Sequence, residues 1–324
     1  MKKIFILFLL CYNIAVAQVS KTTVNAFVEK PTVQWAIYYD EVKLKNEALS
    51  KQLLFDYKAT KLRCFDPITN GNKLENKITY YDKLTLKNLE TKFTEVLKQV
   101  DENNDVVETT TLANDHFEAY IQNNAIITQQ ILYVENGRLQ SKVTRASITK
   151  NIITPSGNNL GEAAIVSFAN NSTNKTKQPT DKIIDVGVTK ITLLNEDLAA
   201  NYYIKKMYNQ PLIDVLWPYI ENNKIKCYDM QENKLLKFPL IPDKNDLKLE
   251  VVNIPTYDSL GNLFIKKVFS NVNEKSFNKI AIEQQWYYNA TQQIFYNKVV
   301  AAYLYFNDIN KNETYDKPLL KIVF

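Results

Sequence analysis

The stretch KLRCFD, residues Lys61–Asp66, returns far down the chain as KIKCYD, residues Lys224–Asp229. Lys61 answers Lys224, Leu62 answers Ile225, Arg63 answers Lys226, Cys64 answers Cys227, Phe65 answers Tyr228 and Asp66 answers Asp229, all at a spacing of 163 positions. Each copy alternates charged and apolar residues, the period of a half-buried strand, which puts its cysteine on the inward face. Asp66-Pro67 then reads as a turn.

Further matches follow in the same order. QQILYVENGRLQSKV, from Gln129, is echoed by QQWYYNATQQIFYNKV, from Gln284, at a spacing of 155. VLKQVDENNDVVE around Asp101 answers VVNIPTYDSLGNLF around Asp258, and GEAAIVSF, residues Gly161–Phe168, answers KPLLKIVF at Phe324. Ordered self-similarity of this kind is the mark of a repeated folding unit. Repeat A spans 26–169 and repeat B 182–324, joined by the polar stretch NNSTNKTKQPTD at 170–181, which has the composition of a linker.

Within repeat A, WAIYYDEVKL from Trp35 has the aromatic and β-branched content of a strand. EALSKQLLFDYKAT after it spaces Leu49, Leu53, Leu54 and Tyr57 by three and four, as an amphipathic helix does. Its partner in repeat B is LIDVLWPYIENN, where Pro218 should kink or end the helix. Two hairpins are expected in each repeat. The first turns at DENND or DSLGN; the second, in repeat A, turns at Glu135-Asn136-Gly137-Arg138, where Asn-Gly accepts positive φ. LTLKNLETKFTEVLKQV carries helical spacing too, but its alignment with DLKLEVVNIP favours a strand for its second half. The fold class is α+β: two tandem homologous domains, each a mainly antiparallel sheet with one or two helices.

The chain opens like an export signal, with Lys2-Lys3, an apolar run Ile4 to Leu10, and Ala15-Val16-Ala17 as a small-x-small cleavage site, so residues 1–17 are a leader and 18–25 a short mature segment. Cys11 invites a lipoprotein reading, yet bulky Leu10 precedes it where lipoprotein processing wants a small residue. The apolar run is too short to span a membrane, and no second candidate follows. The leader and the Lys-, Asn-, Ile- and Tyr-rich composition suggest a Gram-negative envelope, with the protein periplasmic or associated with the outer membrane.

Loss of Lys2 and Lys3 takes the formal charge from +5 to +3, too small and dispersed for a nucleic-acid stripe. His116, in the run NDHFEAY, is the only histidine, which removes most metal and acid–base sites built on imidazole pairs. DENNDVVETTTL and NDINKNETYDKPL space oxygen-bearing residues like calcium loops. Both lack the glycine at the sixth place and the glutamate at the twelfth that such loops use. There is no GxSxG, CxxC, HExxH or glycine-rich phosphate loop.

Cys64 and Cys227 are the only cysteines of the mature chain, and export makes a disulfide the obvious reading. Their equivalent positions in two repeats favour buried free thiols, with the bridge as the alternative. WYYNATQQIFY, residues 286–296, could be an aromatic platform for glycan or peptide; the aliphatics Ile131 and Leu132 in the other copy favour core packing.

The repeat B signals NQPLIDVLWPYIENNKIKCYD (Asn209–Asp229), EQQWYYN (Glu283–Asn289), KVVAAYLYF and DKPLLKIVF resemble, in that order, the gliding-motility protein family GldN, called PorN in oral relatives. Asn289 stands where the family usually has aspartate, Lys298 falls near its arginine, and the unit is doubled. The resemblance covers most of repeat B and, more faintly, repeat A. It implies a non-catalytic periplasmic subunit of the type IX secretion and gliding apparatus, partnered by envelope proteins such as a GldK-like outer-membrane lipoprotein, and it is compatible with an oligomer. The residues marking the shared motif are Cys64, Asp66, Cys227, Asp229, Trp286 and Tyr288. No catalytic, cofactor or metal residue is expected. The alternatives are a secreted binding module for glycan or peptide and a hydrolase working through a carboxylate pair.

Overall fold

The computed structural model describes residues 32–65, 94–100, 106–112, 117–153, 159–168, 180–194, 211–230, 233–240, 252–268, 272–306 and 318–324. The leader, Asp66 with its expected turn, the DENND turn, His116, the NDINKNETYDK run and nearly all of the 170–181 stretch lie outside these residues.

Among the described residues, seven strands come from the first half of the chain: β1 (Val33–Leu44), β2 (Cys64–Phe65), β3 (Thr94–Val100), β4 (Val106–Leu112), β5 (Ile126–Glu135), β6 (Arg138–Ile153) and β7 (Asn159–Phe168). Seven come from the second: β8 (Ile183–Leu194), β9 (Lys226–Asp229), β10 (Val252–Tyr257), β11 (Leu263–Val268), β12 (Phe277–Asn289), β13 (Ile294–Phe306) and β14 (Pro318–Val323). The helices are α1 (Glu47–Lys58), α2 (Phe117–Asn123) and α3 (Leu212–Glu221), with one 3₁₀ turn at Glu274–Ser276.

Two five-stranded sheets result, ordered β1-β5-β6-β7-β2 and β8-β12-β13-β14-β9, and every strand pairing in them is antiparallel. The order is the same in both when strands are counted within each half. Each half also makes a separate two-stranded hairpin, β3-β4 and β10-β11. The expected mainly antiparallel sheets are therefore observed, with few helices, as in an α+β or a mainly-β fold, and the strand expected in the second half of LTLKNLETKFTEVLKQV is β3.

Local chemistry explains the helix boundaries. Asn46 caps α1, its side chain accepting from the Ala48 and Leu49 amides. α1 and α3 end alike: the Lys61 and Leu62 amides both donate to the Asp56 carbonyl, as those of Lys224 and Ile225 do to Tyr219. Thr60 and Asn223 supply the left-handed residue at φ 57° and 53°. Pro218 does not end α3 on the spot; the helix runs on to Glu221, the proline sitting in its last turn where it removes a single donor. α2 was not foreseen: in the run read as polar, Phe117 and Ile121, four apart, are both buried.

The buried side chains form one cluster that runs through both sheets and all three helices, from Trp35 and Leu53 through Phe117 to Trp286 and Leu320. The halves thus bury a common core rather than one each. Register also corrects the sequence alignment by one residue. Gln130 lies between Tyr39 and Val143, beside a bulge at Thr144 of β6; Gln284 lies between Thr189 and Val299, beside a bulge at Val300 of β13. The matching spacing is 154, not the 155 that superposes the two QQ pairs, because the inward alternation of β5 through Thr128, Gln130 and Leu132 matches that of β12 through Ile282, Gln284 and Trp286. Past the hairpin tip the spacing becomes 156: Glu135 pairs with Arg138 across two residues, whereas Asn289 pairs with Ile294 across four.

Candidate interaction surfaces

Where the sheets meet, the fully buried amides of Gln130 and Gln284 hydrogen-bond reciprocally, Nε2 to Oε1, at 2.8 and 2.7 Å. Asn297 Nδ2 adds a 2.6 Å bond to Gln130 Oε1, and the Ser141 hydroxyl reaches Asn297 Oδ1 at 2.6 Å. Ser141 and Asn297 are themselves counterparts, opposite Leu132 and Trp286 respectively. Counterpart residues meeting in pairs place an approximate twofold relation at this seam.

The same exchange recurs outside it. The β12-β13 tip reaches the end of α1: the Arg63 amide donates to Gln293 Oε1 at 2.7 Å, and Gln293 Nε2 donates to the Lys61 carbonyl at 3.0 Å. The β5-β6 tip reaches α3: the Gly137 amide donates to Gln34 Oε1, and Gln34 Nε2 donates to the Tyr219 hydroxyl. The expected Asn-Gly turn is present, with φ 52° at Asn136 and 75° at Gly137. A β-carbon on Gly137 would collide with the Tyr219 ring, so glycine is needed there twice over.

The motif residues are distributed as follows. Cys64 on β2 lies opposite Phe168, and Cys227 on β9 lies opposite Ile322; both thiols are buried at matching stations of the two sheets, and they are not joined in a disulfide. Burial, offset in part by the Tyr228 amide, pushes the Cys227 thiol up to about 12. Asp229, at the end of β9, is buried; Asp66 lies outside the described residues. Trp286 and Tyr288 are fully buried on the inner face of β12. The Trp286 indole donates to the Thr189 hydroxyl at 2.7 Å, while Tyr288 packs on Phe295 with ring centroids 4.8 Å apart. Burial first, then the Asp56 carboxylate, raise the Tyr288 hydroxyl above the ordinary phenol range. The structure does not bring these residues to one site: they belong to a core, and the ring face of Trp286 is closed to a ligand.

Surface chemistry concentrates elsewhere. The β10-β11 hairpin exposes Ile254, Tyr257, Leu260, Leu263, Phe264 and Ile265, with Leu260 83% accessible. Asp258 holds its turn, accepting from the Leu260 and Asn262 amides. These bonds to the charged form keep the Asp258 carboxyl below its usual range. Side chains alternate between the two faces of a ribbon, and apolar residues on both faces are unusual where each meets water. The sequence signalled the hairpin through DSLGN but not its exposure.

Among the described residues no group of three or more histidine, cysteine, aspartate or glutamate side chains is placed to hold a metal ion, and no helix is long and apolar enough to cross a membrane. Comparison with protein-family models, curated proteins and solved structures finds no match.

Proposed function

We propose that this chain is a non-catalytic assembly subunit of the bacterial envelope, similar to GldN, built from two tandem copies of one unit and exported to the periplasm. The observation that carries the reading is the β10-β11 hairpin, a ribbon that offers apolar side chains on both faces to solvent. An isolated two-stranded ribbon is marginally stable in water, so such a surface gains most from a partner that covers it. The common strand order of the two sheets supports the duplication. The partner proposed is an outer-membrane lipoprotein of the GldK kind. The glycan-binding alternative loses its main support, because Trp286 and Tyr288 face the core.

The test is native crosslinking of the tagged full chain in its own envelope, beside a variant carrying Leu260→Asp and Phe264→Asp. Recovery of a GldK-like lipoprotein by the wild type, lost in the variant while thermal unfolding is unchanged, supports the proposal. A wild type that recovers no such lipoprotein overturns it, and equal recovery by the variant removes the hairpin from the contact.

A further inference from the structure

The outer face of the second sheet carries a pattern that the hairpin does not. Directly paired residues share a face, so the register lays out its rows. One row reads Lys190, Glu283, Ala301, Val323, Lys226 across all five strands; the next reads Thr192, Ala281, Tyr303, Lys321, Tyr228; and Lys279 stands beside Tyr305 and Leu194. Lys298 lies opposite Gln285, with Val188 on its other side.

Three of these lysines, Lys190, Lys279 and Lys321, are held against tyrosine rings rather than waving in solvent. Lys190 Nζ sits 4.6 Å from the Tyr303 ring centre with Lys321 at 5.9 Å, and Lys279 sits 4.9 Å from Tyr305. Glu283 is taken up internally, accepting from the Tyr303 hydroxyl at 2.7 Å and lying 3.7 Å from Lys190. The rings rest on a small cluster of Ala281, Ala301 and Tyr303. Five lysines against Glu283 and Asp185 leave the face cationic, and Lys190 and Lys226 lie four strand spacings apart, about 19 Å.

We propose that this face docks an extended acidic polypeptide that alternates carboxylate and apolar side chains. Charges spread over that width suit a polyanion rather than a single phosphate. Lysine ammonium groups already occupy the Tyr303 and Tyr305 rings, which leaves those two rings poorly placed to stack on a sugar. Val188, Leu194 and Val323, each more than 40% exposed, stand among the lysines and require apolar side chains from the partner. The inference shares with the assembly reading the premise that a protein docks, but it uses another surface, so each fails by a different variant.

The test uses the full-length mature chain and a fluorescent peptide of alternating glutamate and leucine, about eight residues long to cross the sheet. Binding is expected to weaken severalfold as salt rises from about 50 to about 500 mM. The Lys190→Gln, Lys226→Gln, Lys321→Gln triple variant should lose about tenfold or more in affinity, whereas Lys266→Gln on the hairpin should lose nothing. Should the triple variant unfold, carbodiimide coupling of the peptide to the wild type decides: adducts at Lys190, Lys226, Lys298 or Lys321 support the site, and adducts only elsewhere overturn it. Absence of peptide binding, or tighter binding of polygalacturonate or of phosphatidylglycerol vesicles through the same lysines, also overturns it.

Discussion

Gln130 and Gln284, 154 residues apart and each completely buried, hold each other through two hydrogen bonds between their side-chain amides. The arrangement satisfies both donors and acceptors only because the two halves bring equivalent positions face to face. Gln284 alone would lose both of these bonds, and Gln130 alone would keep only Asn297 at its oxygen, so the seam specifies how the sheets register on each other.

The amide pair should therefore behave as a unit. Gln130→Leu strands Gln284 and removes the acceptor of Asn297, costing about 2–3 kcal/mol, and Gln284→Leu costs about 1–2 kcal/mol. The double variant should be less destabilised than the sum by about 1 kcal/mol, read by urea unfolding in a double-mutant cycle. Strict additivity would show that the pair carries no coupling.

At the β5-β6 tip, Gly137→Ala combines positive φ with a collision against Tyr219 and should cost about 2 kcal/mol or more. Gly261→Ala has the same sign of φ but open space around it, so it should cost about 1 kcal/mol. Thermal midpoints of the two variants, compared with wild type, isolate the contribution of the packing against α3.

Trp286→Ala should cost about 3–5 kcal/mol, since it empties a fully buried site and strands the Thr189 hydroxyl. Trp286→Phe keeps most of the volume and should cost much less. If the alanine variant unfolds at the wild-type denaturant midpoint, the tryptophan is not part of the core.

Cys227 predicts a pH dependence. Its thiol titrates near 9.0 when unfolded and about 12 when folded, so between those values the unfolded chain releases a proton that the native one retains. Stability is complete below the lower value and declines as pH rises, by about 1 kcal/mol at pH 10. Subtracting the same titration in Cys227→Ala isolates this group. Iodoacetamide at pH 8 should leave both thiols unmodified in the native chain and alkylate both after denaturation.

Because the core runs through both halves, cutting the backbone within residues 170–179 of the full chain, at an engineered protease site, should leave the pieces associated. Co-elution of both fragments in gel filtration checks this, and free separation would mean two independent cores.

Local features were readable from residues alone. The periods of KLRCFD and KIKCYD, the helix spacing of Leu49, Leu53 and Tyr57, and the Asn136-Gly137 turn each act over a few residues, where backbone preference and side-chain alternation decide the outcome. α2 escaped because its signal is only two apolar side chains in seven residues. Nothing local separates Gln129 from Gln130, or Gln284 from Gln285; the face of β5 and of β12 that packs into the core chooses, and it chooses consistently in both halves. Likewise the exchange in which each hairpin tip engages the other half's helix depends on contacts between residues up to 232 positions apart. From its sequence this chain determined where most of its strands and its helix ends fall, and the recurrence of KLRCFD as KIKCYD. The tertiary structure alone decided that the two halves close a single core, because burial rewards apolar faces wherever they meet and is blind to their distance along the chain.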